Sequence, residues 1–331
     1  MSSEKKLFLL DAMALIYRAY FALNRNPRIN SRGLNTSAIL GFANSLWDVL
    51  SNQQPTHIAV AFDSHAPTLR HQEYEDYKAN REEIPEDIVT SIPYIKEMLK
   101  AFRIPIIEKE GYEADDIIGT LSKKAEEKGF ITYMMTPDKD FGQLVTENVF
   151  IYKPPRMGNK PEILGTKEIC NKYTIEKPKQ LIDILGLWGD ASDNIPGVPG
   201  IGEKRAKQLI AEYGSIDELI KNSHNLKGKI KENIEEYKDQ ALLSRDLATI
   251  ILNVPVDIDE KEFERKDPDF NALKPLLNEL EFRTFYKRIF SAFQEENTQM
   301  DLFSTQVEKE KLTINPKAKS IENTEHSYTL I

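Results

Sequence analysis

The first half of the chain alternates short apolar runs with longer amphipathic stretches. Runs of four or more apolar residues bounded by polar ones predict buried strands; they span 6–10, 57–62, 104–108, 131–135 and 149–152. The stretches between them carry apolar residues at helical spacing and predict helices; they span 12–23, 36–53, 85–102 and 113–128. This alternation predicts an α/β fold in which a mostly parallel central sheet has helices on both faces.

The second half shows helical spacing only, which predicts an all-α part. The predicted helices span 179–189, 215–222, 226–237, 240–251, 273–280 and 282–293. We therefore divide the chain into an α/β core over 1–174, a helical subdomain over 175–290, and a flexible linker with the start of a following domain over 291–331. The linker is predicted from the polar stretch 295–325. The apolar end at 326–331 predicts the first strand of a further domain, as expected for a piece of a longer protein.

The composition bounds the class of protein. The chain has 331 residues, 29% of them charged, and a single cysteine, Cys170, so an internal disulfide is impossible. No apolar run approaches the ~20 residues of a membrane span. We therefore expect a cytoplasmic protein that does not contact membranes. The net charge of −9 does not exclude nucleic acid as a partner, because DNA responds to local patches of charge.

Acidic residues follow four of the predicted strands. They are Asp11, Asp63, the group Glu113, Asp115 and Asp116, and the pair Asp138 and Asp140. One such acid is ordinary turn chemistry, and Glu113–Asp116 alone fits a charged helix start as well as a metal site. Four strand ends that deliver acids to the same edge of a parallel sheet favour the metal site. Carboxylates with few histidines suit Mg²⁺ or Mn²⁺ better than zinc.

Two further acids, Asp190 and Asp193, follow the first helix of the second half. They fit a turn, and they also fit additional metal ligands reaching in from the helical part. Shortly after them, Gly200 and Gly202 form a predicted hairpin between two helices. Such a hairpin lets the backbone approach a phosphate closely, and the next helix offers free N–H groups to an anion.

Lys204 and Lys207 lie on one face of that next helix. A tight helix–helix turn would need the glycines as well, but the two lysines favour binding to the DNA backbone, without readout of bases.

A polar segment over 64–90, called the arch segment below, is rich in charge. It holds Arg70, Tyr77, Lys78 and Arg81.

These features occur together in one known family. The chain resembles the 5′ nuclease domain of bacterial DNA polymerase I, which is related to flap endonucleases, over roughly 6–290. The resemblance rests on LFLLDAMALIYRAYFAL, AFDSHAPTLRHQEYEDYKANR, EGYEADDIIGTL, TPDKDFGQL and LWGDASDNIPGVPGIGEKRAKQL. The chain departs from the family at Ala12, where the family usually has glycine. This difference affects only the details of the turn that follows Asp11.

The resemblance implies roles for the acids. The implied ligands of a first metal ion are Asp11, Asp63, Glu113 and Asp115, with Asp116 as an accessory acid. The implied acids of a second site are Asp138, Asp140, Asp190 and Asp193. Tyr77, Lys78 and Arg81 match the base of a helical arch that contacts the scissile phosphate, and Arg70 matches a basic residue of the same segment. Gly200 and Gly202 match a helix–hairpin–helix that holds duplex DNA, often with a monovalent cation such as K⁺.

The expected function is a two-metal 5′–3′ exonuclease and flap endonuclease of replication and repair, with Lys78, Arg81 and Asp115 as catalytic residues and Tyr77 positioned to stack on a base. Its substrates would be 5′ flaps, nicked or gapped duplexes and RNA primers on DNA. It would act as a monomer fused to polymerase domains. Alternatives are a catalytically silent DNA-binding module and a ribonuclease of the acid-lined single-domain (PIN) type. An aspartyl phosphatase would need an acid where Met13 stands.

Overall fold

The computed structural model of the chain describes residues 5–23, 25–64, 66–155 and 159–304, with side chains as far as 293. The chain divides into two units, one ending at Arg283 and the other beginning at Thr284. Among the described helices, none combines the length and the apolar character that a membrane crossing requires.

The centre of the first unit is a sheet, which has six strands in the described part of the chain. They are β1 (Lys6–Asp11), β2 (His57–Ala61), β3 (Ile106–Ile107), β4 (Ile131–Met135), β5 (Val149–Lys153) and β6 (Glu162–Leu164). Their order is β3-β2-β1-β4-β5-β6, and every pair is parallel except β5 with β6. The carboxyl ends of β1, β2 and β4 therefore meet at one edge of the sheet, as the sequence predicts.

Helices cover both faces of this sheet. The helices of the first half are α1 (Ala12–Leu23), α2 (Ser37–Asp48), α3 (Leu69–Glu73), α4 (Glu86–Ala101) and α5 (Ala114–Glu127). Successive residues of β1 point to opposite faces, and both Phe8 and Leu9 are buried. Leu9 belongs to the same apolar core as Ile117 and Leu121 of α5. A strand buried on both faces is typical of a parallel sheet between helices.

The second half is helical. Its helices are α6 (Thr166–Tyr173), α7 (Leu181–Trp188), α8 (Glu203–Tyr213), α9 (Ile216–Lys221), α10 (Gly228–Glu236), α11 (Lys238–Ala248), α12 (Glu260–Phe263), α13 (Phe270–Glu279) and α14 (Arg283–Ser304). One apolar core runs from Leu9 in β1 through Leu185 in α7 to Leu247 in α11. The α/β part and the helical part therefore share a core, and the division at 174/175 stays a prediction about sequence segments.

The structure differs from the elements predicted from the sequence at three places. The predicted strand 104–108 is reduced to the two residues of β3, and β6 was not predicted. The linker predicted from residue 291 is wrong as far as Ser304, because α14 continues to that residue. The strand predicted at 326–331 lies outside the described residues.

Candidate active site

The first acids of the site are held at the ends of β1 and β2. Asp11, the last residue of β1, is 5% exposed. Its Oδ1 accepts a hydrogen bond from the Ala14 N–H at 3.0 Å, and its Oδ2 accepts one from Thr136 Oγ1 at 2.9 Å. Asp63 lies two residues beyond β2, and its Oδ1 accepts a hydrogen bond from the Ala114 N–H at 2.9 Å. The start of α5 is thereby fixed against the sheet edge.

Helix α5 delivers the next acids. Glu113 is its N-cap and is 5% exposed, and Asp115 lies in its first turn. Burial, and then the charges of Asp11 and Asp138, raise the pKa of Asp115 well above its ordinary value. Burial and the charge of Asp63 raise the pKa of Asp11 to about 7. Several carboxylates therefore lie close enough to repel one another.

The loop after β4 adds two acids to this group. Asp138 Oδ1 accepts a hydrogen bond from the Asp140 N–H at 2.9 Å. Burial raises the pKa of Asp138, and burial together with the charge of Asp138 raises that of Asp140. Asp140 Oδ1 is buried without a hydrogen-bond partner. A buried carboxylate oxygen without a donor is costly, and a cation would satisfy it.

Basic residues of the arch segment contact the same acids. Lys78 Nζ donates to Glu113 Oε1 at 2.7 Å, and Arg81 Nη2 donates to Asp193 Oδ1 at 2.6 Å. Tyr77 OH lies 3.1 Å from Glu113 Oε2 and 3.3 Å from Asp193 Oδ2. Burial lowers the pKa of Lys78, but the charges of Glu113 and Asp193 outweigh it, so the pKa is raised above its ordinary value. The base of the arch is therefore bound to the acids by matching charge.

Backbone contacts hold the arch base in that place. The Lys78 N–H donates to the Asp193 carbonyl at 2.9 Å, and Lys78 adopts a left-handed conformation with φ of 58°. Asn80 Nδ2 donates to the Ala191 carbonyl at 2.8 Å, and Asn194 Nδ2 donates to the Asp76 carbonyl at 2.7 Å. The loop that follows α7 is thus paired with the arch base from both sides.

Asp190 has a different environment from the acids of the sheet edge. Its Oδ2 accepts a hydrogen bond from Lys139 Nζ at 2.6 Å, and its Oδ1 accepts from the N–H and the hydroxyl of Ser192. Burial opposes ionisation, but these donors hold the pKa of Asp190 below its ordinary value. Its charge is already matched, so metal binding by Asp190 stays a prediction that requires Lys139 to move away.

Asp116 is fully saturated by hydrogen-bond donors. Its two oxygens face Arg70 Nη1 and Nη2 at 2.9 and 2.8 Å. Each oxygen also accepts a backbone N–H, from Glu113 at 3.2 Å and from Ile251 at 2.9 Å. A carboxylate offers about four acceptor positions. These four donors occupy all of its acceptor positions, so the accessory role of Asp116 at the metal stays a prediction that requires one of the donors to move away.

The negative charge of the acids decides whether this site can bind metal ions. Among the residues that the structure describes, no group of three or more His, Cys, Asp and Glu side chains is already arranged as a metal site. Glu113, Asp190 and Asp193 are each bound to a basic side chain. Asp11, Asp115 and Asp138 have raised pKa values. Oxygen ligands with excess negative charge fit hard divalent cations.

The glycine hairpin lies between α7 and α8. Gly200 is exposed with φ of +77°, whereas Gly202 is the N-cap of α8 with φ of −90° and open space around its Cβ position. Lys204 and Lys207 line a cavity of about 530 Å³ together with Thr174 and Glu212. Lys204 is exposed, whereas Lys207 pairs with Glu203 at 2.6 Å. This surface can accept an anionic backbone.

Comparison with known families identifies this arrangement. The family model "5'-3' exonuclease, N-terminal resolvase-like domain" matches residues 6–174, and "5'-3' exonuclease, C-terminal SAM fold" matches residues 176–271. The chain belongs to the 5′-3′ exonuclease family. The predicted resemblance, the fold class and the assignment as a nuclease are thereby confirmed.

Relatives of two lengths match this chain. A 5'-3' exonuclease of Aquifex aeolicus is 36% identical over 88% of this chain and 97% of its own length. DNA polymerase I of Bacillus subtilis is 40% identical over 87% of this chain but only 33% of its own length. The chain therefore spans about a third of the length of the DNA polymerase I relatives that it matches.

Solved structures confirm the fold of the chain. The T5 D15 protein co-crystallised with metal ions matches with a TM-score of 0.60 and 20% identity, over 86% of this chain and 98% of that one. The catalytic core of Rad2 in complex with a DNA substrate matches with a TM-score of 0.54 and 20% identity, over 83% and 88% of the two chains.

Two residues predicted to contact DNA are buried in the structure. Arg70 is 5% exposed, with its guanidinium turned to Asp116 and to two backbone carbonyls. Tyr77 is 3% exposed, so its ring cannot stack on a base in this arrangement. Both side chains belong to the interior that supports Glu113. Lys78 and Arg81 remain at positions from which they could reach a phosphate.

Two residues that orient the acids were not predicted from the sequence. Thr136 Oγ1 donates to Asp11 and accepts the Asp138 N–H at 3.2 Å. Lys139 pairs with Asp190. Thr136 directly follows β4 and precedes two acids, and this position at a strand end was a signal that could have identified it. No local signal connects Lys139 to Asp190, which lies about fifty residues later.

Proposed function

We propose that this member of the 5′-3′ exonuclease family is a structure-specific 5′–3′ exonuclease and flap endonuclease acting on DNA and on RNA primers. The observation that supports this is the position of Lys78 and Arg81 beside a group of crowded carboxylates. Basic groups there suit a phosphate, and repelling acids suit divalent cations.

The acids divide into two sets that would hold two cations, Mg²⁺ or Mn²⁺. Asp11, Asp63, Glu113 and Asp115 would hold one, and Asp138, Asp140, Asp190 and Asp193 would hold the other. When bound, such cations supply an activated water nucleophile and stabilise the leaving oxygen. Thr136 keeps Asp11 oriented for this task, and Tyr77 does the same for Glu113 through its hydroxyl.

Lys78 and Arg81 would act on the phosphate itself. In the structure they neutralise Glu113 and Asp193. Once these acids are neutralised by cations instead, the ammonium and guanidinium groups are available for the scissile phosphate. There they would offset the negative charge that grows on its oxygens in the transition state.

The glycine hairpin would hold the duplex next to the cut. Gly200, Gly202 and the exposed Lys204 present backbone and charge to a phosphate, with K⁺ as a candidate monovalent ion. Such contacts read the shape of the nucleic acid and not its sequence. We therefore propose 5′ flaps, nicked or gapped duplexes and RNA primers on DNA as substrates.

The cellular context follows from the DNA polymerase I relatives. We propose that the chain acts in replication and repair in the cytoplasm, as a monomer joined to polymerase domains. The Bacillus subtilis DNA polymerase I supports the joined form, because the chain matches only 33% of its length. The Aquifex aeolicus 5'-3' exonuclease, matched over 97% of its length, represents the stand-alone alternative.

The deciding experiment is cleavage of a labelled 5′-flap duplex with Mg²⁺. We expect the parent to cut near the base of the flap, and Asp115→Asn and Asp138→Asn to lose at least 10²-fold in rate. Asp217→Asn, which removes an acid paired with Arg245 at 58% side-chain exposure, is the matched control. Binding without cleavage would indicate a silent module, and cleavage of hairpin RNA alone would indicate a ribonuclease.

A further inference from the structure

Arg70 occupies a buried junction of three separate chain segments. It is the second residue of α3, at the start of the arch segment, and its side chain is 6% exposed. Its partners lie at the start of α5, in the last turn of α11 and directly after that helix. The junction therefore joins the arch, the acidic helix and the helical part of the fold.

Every N–H group of the Arg70 guanidinium has an acceptor. Nη1 and Nη2 form a bidentate pair with Asp116, and Nη1 also lies 3.4 Å from Glu113 Oε2. Nε donates to the Leu247 carbonyl at 2.9 Å, and Nη2 donates to the Thr249 carbonyl at 2.8 Å. Only a planar guanidinium, which has five N–H donors, can satisfy all of these acceptors. A lysine at this position would leave some of them without a donor.

Asp116 completes the junction from the other side. It caps the Glu113 N–H and accepts the Ile251 N–H. The same carboxylate thus holds both the start of α5 and the stretch after α11. Because Asp116 and Arg70 are both buried, removal of either would leave an unmatched charge in the interior.

The junction connects directly to the catalytic side of the arch. The Tyr74 N–H donates to the Arg70 carbonyl at 2.9 Å, and the Tyr77 N–H donates to the Tyr74 carbonyl at 3.0 Å. The turn that carries Lys78 is therefore built on Arg70. The position of Lys78 relative to Glu113 depends on where Arg70 is held.

We propose that Arg70 is a positioning residue that sets the arch base relative to the acidic helix, and that it links both to the duplex-binding helical part through residues 247–251. This rests on the proposed function, which makes Glu113 a metal ligand and Lys78 a phosphate contact. The consequence is that Arg70 controls the rate and the place of cleavage, and not the affinity for DNA.

The test compares Arg70→Lys with Arg70→Met and with Arg245→Met. Lysine keeps the charge, so this variant is expected to fold even if the methionine variant does not. Arg245 lies in α11 and forms ion pairs with Asp217 of α9 and with Asp246 of its own helix. Each variant is assayed on a 5′-flap duplex under single-turnover conditions, with rate, KM and cut positions recorded.

For Arg70→Lys we expect a rate at least tenfold below the parent, a KM within about threefold, and cuts spread over neighbouring phosphates. Arg245→Met should match the parent in all three. A raised KM with an unchanged saturating rate and a smaller salt dependence would overturn the proposal in favour of a direct DNA contact. Parental values for Arg70→Lys would overturn it as well.

A second measurement does not depend on cleavage. Hydrogen–deuterium exchange without DNA should be faster in Arg70→Lys at 74–81 and 247–251, and unchanged in α7. Unchanged exchange at both places would overturn the junction. If the parent does not cut flaps but the exchange differences appear, the proposed function fails while the structural role of Arg70 stands.

Discussion

Lys78 Nζ donates a hydrogen bond to Glu113 Oε1 at 2.7 Å, and each of the two side chains is proposed to serve another ligand. The ammonium would serve a phosphate, and the carboxylate would serve a divalent cation. Binding of either ligand breaks the same ion pair and releases the partner for the other ligand. Linkage then requires that DNA and divalent cations strengthen each other's binding by the same factor.

This reciprocity can be measured with Ca²⁺ and a 5′-flap duplex, after the absence of cleavage has been checked. We expect Ca²⁺ to raise the affinity of the parent for the flap about tenfold, within the usual range of coupling energies. In Lys78→Met the increase should be reduced to less than threefold. Lys221→Met, which removes an exposed partner of Glu218, should behave as the parent. Equal increases in all three proteins would contradict the coupling.

Asp115 and Asp116 are neighbours in sequence, and we expect their replacement by asparagine to have different effects on stability. Asp115→Asn removes a charge that other acids repel, so the metal-free protein should melt at the same or a higher temperature. Asp116→Asn breaks the buried pair with Arg70 and should cost roughly 3 kcal/mol of unfolding free energy. For a domain of this size that lowers the Tm by on the order of 5–10 °C.

Both asparagine variants are compared in EDTA by calorimetry, since bound metal would stabilise the parent by mass action. Asp183→Asn serves as a reference for a buried acid with a structural hydrogen bond, to the Ile216 N–H. If Asp115→Asn destabilises the metal-free protein as much as Asp116→Asn, the repulsion among the acids is not significant.

The pH dependence of stability follows from Asp11. Its pKa is 3.8 for an ordinary aspartate and about 7 in the fold. The folded state therefore binds the proton more tightly, so this contribution is fully present below about pH 4 and is lost as the pH rises through 7. The difference corresponds to on the order of 4 kcal/mol. The Tm of the metal-free parent should fall between pH 5 and pH 8.

The variant Asp11→Asn isolates this effect, because it cannot ionise. Its Tm should change less over the same pH range, and Mg²⁺ should stabilise the parent more at pH 8 than at pH 5. Parallel curves for the parent and Asp11→Asn would show that Asp11 titrates normally. Calorimetry in EDTA and in Mg²⁺ gives both comparisons.

Replacing Gly202 tests DNA binding at the hairpin with little effect on folding. Its φ is not left-handed, and a Cβ would meet no atom within 4 Å, so Gly202→Ala should alter the Tm by only a few degrees. A phosphate at the α8 N-terminus would meet that methyl group, and duplex affinity should fall about tenfold. Gly200→Ala, with φ of +77°, should instead lower the free energy of unfolding by about 1 kcal/mol through backbone strain. Unchanged affinity in Gly202→Ala would place the duplex elsewhere.

The sequence by itself determined the sheet and the meeting of acids at its edge. Runs such as 57–62 and 131–135 are apolar and short enough to identify strands, and parallel strands bring their carboxyl ends together. Asp11, Asp63, Glu113 and Asp138 could therefore be placed at one edge without coordinates. The same rule fails for β6 and for the length of α14, where the local pattern is weak.

Only the tertiary structure decided which of the acids are matched by a basic group. Asp115 and Asp116 have the same chemistry and adjacent positions, yet Asp116 meets Arg70 and the stretch 247–251, and Asp115 meets other acids. Arg70 and Tyr77 look like surface groups of a charged segment and are buried. The reason is that burial and charge pairing come from residues far apart in the chain, and no local pattern records them.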